Sequence, residues 1–193
     1  VTALIATAAF GSSFAASAQT SAAATTQRDV NQEQRIENGL QNGTITAREN
    51  SALQRDEAHV DKLQARDLRN GSLSPAEKAQ LTAAQNRTSR DIANAKRNGI
   101  DGNPLSASSQ RAQADTQRNI DQQRRIDNGV KSGSLTNHEA AGLERGQSHV
   151  DRREARAGAD GQVSAGEQRR IARADNRQSA RVFNRKHNAP AKG

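Results

Sequence analysis

Asn42–Glu49 reads NGTITARE, Asn70–Glu77 reads NGSLSPAE, Ser132–Glu139 reads SGSLTNHE and Asp160–Glu167 reads DGQVSAGE. Each stretch runs Gly, one residue, an aliphatic, Ser or Thr, two residues, then Glu. This is the chemistry of one helix stopping and another starting. Gly43, Gly71, Gly133 and Gly161 can take the left-handed conformation that ends a helix. Thr46, Ser74, Thr136 and Ser164 can accept a hydrogen bond from an orphan N–H at the next start. Glu49, Glu77, Glu139 and Glu167, three residues on, can reach back to complete a capping box. Pro75 falls at the first helical position, where a missing N–H costs nothing. The segments between these signals predict helices over 27–41, 46–69, 75–98, 117–131, 136–159 and 164–187, with no strand alternation anywhere.

Working outward, the pattern belongs to a duplication. TQRDVNQEQRIENGLQNGTIT, from Thr26, aligns without a gap with TQRNIDQQRRIDNGVKSGSLT, from Thr116. Identities run through Arg35/Arg125, Asn38/Asn128, Leu53/Leu143, His59/His149, Asp61/Asp151 and Arg87/Arg177. The expected fold is all-α: two tandem three-helix units with short capped loops. Unit 1 spans 19–98, a turn-rich linker 99–106, unit 2 107–188, and a disordered tail 189–193.

The 193 residues include no Cys, Met, Trp or Tyr and three Phe. Thiolate metal sites, disulfides and a cysteine nucleophile are thereby excluded. Aromatic stacking platforms for single-stranded nucleic acid are excluded on the same counts. Hydrophobic residues make up 32% of the chain, and most of them are Ala, which favours helix but buries little area. A thin core and long, charged, elongated helices follow. Residues 1–18, VTALIATAAFGSSFAASA, are uncharged and end in an A-x-A pattern before Gln19. They predict a cleaved export signal, and hence a periplasmic or secreted protein.

No nucleophile elbow, P-loop or dinucleotide fingerprint occurs, and the carboxylates interleave with Arg as in surface ion pairing. A non-enzyme is expected. Two binding chemistries remain. The net charge of +8 lies almost wholly beyond residue 104. Arg169, Arg170, Arg173, Arg177, Arg181 and Arg185 place a basic face on the last helix, suited to an anionic envelope surface. The alternative is calcium. The loops resemble the back half of an EF-hand, and Asp160 with Glu167, or Asn70 with Glu77, are the best ligand pairs. Their front halves hold Asn38, Arg66, Asn128 and Arg156 where an Asp is expected. His59 and His149 share a repeat position without metal-ligand spacing, and pairing with a nearby carboxylate is expected. His138 and His187 are expected to be exposed.

Leu81-Thr82-Ala83-Ala84-Gln85 matches the LTxxQ string of the periplasmic Spy/CpxP chaperones. Leu73–Glu77 and Leu135–Glu139 match it with Glu for Gln. The resemblance implies a helical cradle that holds protein clients. As a whole, the chain resembles exported helical tandem-repeat proteins of Gram-negative bacteria.

Overall fold

The computed structural model describes residues 11–187, with side chains from residue 21 onward. Six helices follow one another: α1 Gly11–Gln41, α2 Ala47–Asp67, α3 Pro75–Ala95, α4 Ala107–Lys131, α5 Asn137–Ala157 and α6 Ala165–His187. A short 3-10 turn, Leu68–Asn70, closes α2. The described residues contain no strand, so the all-α expectation holds. The first ten residues of the expected export signal and the expected tail lie outside the described residues. The signal's remaining residues fall within α1.

All four punctuation marks form as capping chemistry dictates. Gly43, Gly71, Gly133 and Gly161 have φ of 79°, 89°, 72° and 92°. The backbone N–H groups of Glu49, Glu77 and Glu139 donate to Thr46, Ser74 and Thr136, and each Glu accepts from its cap's backbone N–H. Ser164 N–H donates to Glu167 Oε2 at 2.9 Å, and Glu167 N–H returns to Ser164 Oγ at 3.2 Å. The aliphatic residue before the cap has a job as well. Ile45 and Leu135 lie against Gly39 and Gly129, so closely that a Cβ at either glycine would collide with them.

Two helices start earlier than expected. The first reaches back to Gly11. The fourth begins at Ala107, where Ser106 Oγ accepts from Ser109 N–H at 3.1 Å. Ser109 stands where a capping box would have Glu, so this start carries only half of the usual signature.

The helices of the two repeats interlock, and the main packing runs between repeats rather than within them. Helix α2 packs along α5 and α1 along α4, so every central helix lies against its own repeat equivalent. Helix α3 covers α1 and α2, and α6 covers α4 and α5. Equivalent residues meet: Ser148 Oγ donates to the carbonyl of Ala58 at 2.8 Å, and the Asp61 and Asp151 carboxyls come close enough to act on each other's titration. A contact between equivalent positions is isologous and defines an approximate twofold axis between the units. The apolar clusters follow the same logic. Ile36, Leu40, Ile45, Leu53 and Ile92 of the first unit pack with Ala112, Val163 and Ile171 of the second. The core is thin because the two units share it.

The centre of that core is polar. Asp29, Glu33, Glu57, Asp61, Glu144, Asp151 and Glu154 are each 5% exposed or less. Among the described residues none of these seven has a Lys, Arg or His within ion-pair distance. This corrects the expectation of surface ion pairing, and the reason is periodicity: the acids lie on the inner face and most of the arginines on the outer one. Their partners are carboxamides. Gln54 Nε2 donates to Glu33 (3.1 Å), Gln123 Nε2 to Glu144 (3.1 Å) and Asp61 (3.2 Å), and Asn119 Nδ2 to Glu154 (2.9 Å). Gln85 Nε2 donates to Asp29 at 2.7 Å, and Gln64 also donates to Asp29.

Candidate functional site

The same α2–α5 contact that buries acids on its inner side presents bases on its outer side. Helical spacing turns Leu63, Ala65 and Ser148 inward, where they are buried, and leaves His59, Lys62, Arg66, Arg69, Arg145 and His149 exposed. Arg152 is half-buried. These residues and Gln80 line a groove of about 610 Å³ between α2 and α5. That size suits a small-molecule ligand or a headgroup. The lining contains five permanent cations, two histidines and no acid.

The groove's cations are partly fixed and poorly compensated. Arg152 Nε donates to Ser148 O at 3.1 Å, and its guanidinium donates to His149 Nδ1 at 2.6 Å. His149 Nδ1 therefore accepts, and its ring is held neutral. Burial pushes the His149 imidazole below its ordinary pKa, and Arg152, Arg153, Arg181 and Arg145 add to the effect. The expected pairing of this histidine with a carboxylate is thus replaced by contact with a cation. Among the described residues Arg66 is the one groove cation in an ion pair, its Nε 2.5 Å from Asp67 Oδ1. A concave surface with several guanidinium groups and no acid in its lining can receive an anion bidentately at low desolvation cost.

The six arginines singled out on α6 are all exposed. They do not form one site. Arg170 joins Arg153, Arg156 and Glu167 around a smaller depression of about 150 Å³. Arg185 lies 3.8 Å from Glu139. Arg181 is near enough to His149 to depress its pKa, which links this face to the groove. Sequence reasoning missed Lys62, Arg69, Arg145 and Arg152. The signal was present: His59/His149 and Lys62/Arg152 occupy equivalent repeat positions, and equivalent positions converge at a twofold axis.

The cation-loop residues serve other ends. Asp160 Oδ1 accepts from Gln162 N–H at 2.9 Å, and Asn70 Oδ1 from Ser72 N–H at 3.2 Å. Hydrogen bonds from the Ser74 and Ser164 hydroxyls and backbone N–H groups hold the Glu77 and Glu167 carboxyls below their ordinary pKa. Among the described residues, no three His, Cys, Asp or Glu side chains gather so as to hold a metal ion. His138 and His187 are exposed, each with Nδ1 beside a backbone carbonyl, of Arg69 and Phe183 respectively. In the LTxxQ string, Leu81 and Gln85 are both buried, Gln85 as the amide partner of Asp29. Among the described residues no helix is long and apolar enough to cross a membrane. No family model, no curated protein and no solved structure matches the chain.

Proposed function

We propose that this is a non-catalytic, exported helical binding protein of the cell envelope that takes phosphate-bearing anions into the α2–α5 groove. The observation that carries the reading is a concave lining of five cations and two histidines without an acid. The Arg-rich face of α6 extends the positive field toward the same place and would steer anions to it. A scaffold or client-holding role fits the same surface, through charge. The exposed large apolar side chains among the described residues are Ile100, Leu105 and Phe183, which are too scattered for an apolar cradle.

Calorimetric titration with inorganic pyrophosphate tests the reading, run beside phosphatidylglycerol vesicles so that a free anion and a headgroup are told apart. Binding should weaken steeply with salt. It should fall at least about tenfold in Arg145→Gln/Arg152→Gln, a loss of about 1.4 kcal/mol. It should change little in Arg170→Gln/Arg173→Gln. Equal losses in both variants would move the site to α6, and salt-independent binding would refute an electrostatic site.

A further inference from the structure

Aligning the repeats on the axis exposes a regularity in the buried polar layer. Asp29 is matched by Asn119, Glu33 by Gln123, Glu144 by Gln54, Glu57 by Gln147 and Glu154 by Gln64. Asp175, 1% exposed, is matched by Gln85. A carboxyl in one half is a carboxamide in the other, isosteric in the first five pairs, and the acids are divided between the halves. The bonded pair Glu33–Gln54 becomes Gln123–Glu144, with acid and amide exchanged between helices. A carboxamide is neutral and both donates and accepts. Of the two states of a carboxyl, only the protonated one shares both properties.

Three further observations agree. First, Asp61 and Asp151, buried at equivalent positions and acidic in both halves, lie close enough to act on each other's titration, and each has an oxygen without a partner. Two carboxylates can only accept, so a hydrogen bond between them would need a proton. Second, the core has more acceptors than donors. Among the described residues every buried side-chain polar atom without a partner is an oxygen, and all but Thr116 Oγ1 belong to carboxyls or carboxamides. Both Glu57 oxygens are among them. Protonation converts an acceptor into the donor such a layer lacks. Third, unpaired charge is costly to bury, and a buried acid escapes that cost by keeping its proton.

We propose that this layer is a proton store: Asp29, Glu33, Glu57, Glu144 and Glu154 stand in the fold as neutral acids and Asp61 and Asp151 share a proton, so the interlocked bundle tightens in acid and loosens as the layer ionises.

Burial and neighbouring carboxyls favour the neutral form and outweigh the amide hydrogen bonds, which favour the charged one. On α1, Arg28 opposes the rise at Asp29, and less than burial drives it. Glu37, lower on that helix, bonds Gln41. On α2, Asp56 faces Asp91 of α3 and lies near Arg55, Arg87 and His59. On α4, Arg118 stands 4.0 Å from Asp175 of α6 and near Asp115, at the edge of the layer. Asp127 of α4 is ion-paired with Lys131 at 2.6 Å. On α5, Asp151 and Glu154 repel one another and the acids of α1 and α2. Burial pushes Asp29 and Asp151 up to about 7. Burial first, then neighbouring carboxyls, raise Glu57, Asp61 and Glu154 well above the ordinary carboxylate range. Glu33 and Glu144 follow for the same causes.

The direction is set by linkage. Asp29 and Asp151 are neutral in the fold and ionised in the unfolded chain between about pH 4 and about pH 7, and the other raised acids add to the protons the fold holds. Stability is full below that window and falls as pH rises through it, about tenfold in the folding equilibrium per acid per pH unit.

The experiment uses the full chain. Thermal melts from about pH 5 to about pH 8 should move downward, and unfolding near neutrality should release several protons, counted by calorimetry in buffers of differing ionisation heat. Infrared spectra of the folded protein near neutrality should contain the carboxylic-acid C=O stretch, lost on unfolding. Glu33→Gln/Glu57→Gln/Glu144→Gln/Glu154→Gln gives four positions the amide already present in the opposite repeat. This variant should fold, melt higher on the alkaline side and release fewer protons. A wild-type melting temperature that is flat or rises with pH would overturn the proposal, as would a folded state without the acid C=O stretch. A calcium-dependent rise in melting temperature lost in the variant would also overturn it, since the layer would then hold a cation. The wild-type proton count and spectrum decide the matter even where the fourfold variant fails to fold.

Discussion

Replacing Asp29 by asparagine is the sharpest single test of how the core is held together. Asp29 is 1% exposed, and it accepts from Gln85 Nε2 at 2.7 Å and from Gln64. Burial lifts its pKa to about 7. An unfolded Asp titrates near 3.9, so the gap of roughly 3 units corresponds to about 4 kcal/mol of stability, lost between about pH 4 and about pH 7. A carboxamide carries no such penalty. It also finds its partners: Gln64 Oε1 lacks a donor, and turning that amide lets the introduced side-chain NH2 donate to it while the introduced carbonyl oxygen still accepts from Gln85. The second repeat already has an asparagine that both donates and accepts at this position. Asn119 Nδ2 donates to Glu154 at 2.9 Å and its Oδ1 accepts from Gln147 at 2.9 Å. Allowing about 1 kcal/mol for imperfect rearrangement at every pH, Asp29→Asn should be about 3 kcal/mol more stable than wild type near pH 8 and about 1 kcal/mol less stable near pH 4. Urea unfolding at both pH values, with unchanged m-values, measures this. A variant less stable than wild type on the alkaline side would mean that Asp29 is ionised and needed so.

Other perturbations separate the remaining claims. Thr136→Ala removes the acceptor for Glu139 N–H and should cost about 1 kcal/mol in urea unfolding. Gly39→Ala places a methyl group against Ile45 and should destabilise by about 1–3 kcal/mol, a loss that Ile45→Val should partly reverse. Pyrophosphate entering the groove should raise the His149 pKa by offsetting the cations that depress it. Proton NMR of the imidazole reads this, and an unmoved His149 would place the anion elsewhere. Millimolar calcium should leave the melting temperature unchanged; a rise abolished by Glu167→Gln and Glu77→Gln would restore the cation-loop reading.

What was legible in the sequence was local. The glycine turns and capping boxes are settled within eight residues by φ preference and hydrogen-bond reach, so all four could be read in advance. The start of α4 was not legible, because Ser106 caps without a Glu three residues on. The interlocking of the units was hidden for a different reason. Helical periodicity says which residues share a face, not what that face meets. Glu57 and Asp61 on α2 look like solvated charge until α5 is placed over them. The clue lay in the repeat's differences rather than its identities. Glu33/Gln123 and Gln54/Glu144 are substitutions between isosteres, and a surface acid is under no pressure to be replaced by its own shape. The groove was half-legible: the matched histidines flagged it, but only a twofold contact brings His59 and His149 into one lining.

The two halves of the α2–α5 contact also act on each other. Helix α2 carries Glu57 and Asp61 inward and His59 and Lys62 outward; α5 carries Glu144 and Asp151 inward and Arg145 and Arg152 outward. The acids thus lie behind the groove's cations, within a helix diameter of roughly 10–12 Å and about one Debye length of them. While the acids are neutral, the groove's positive field is uncompensated. As they ionise, each adds a negative charge on the low-dielectric side, where screening is weak. Anion affinity should therefore fall as pH rises through about 7, and the share due to the acids is the share lost when they are replaced by amides. A trisulfonate probe isolates the effect because its own charge does not titrate. Wild type should lose affinity between about pH 6 and about pH 8, and Glu57→Gln/Glu144→Gln/Glu154→Gln should lose markedly less. Parallel losses in the two proteins would show that the buried layer and the groove do not communicate, while leaving each to stand or fall on its own test.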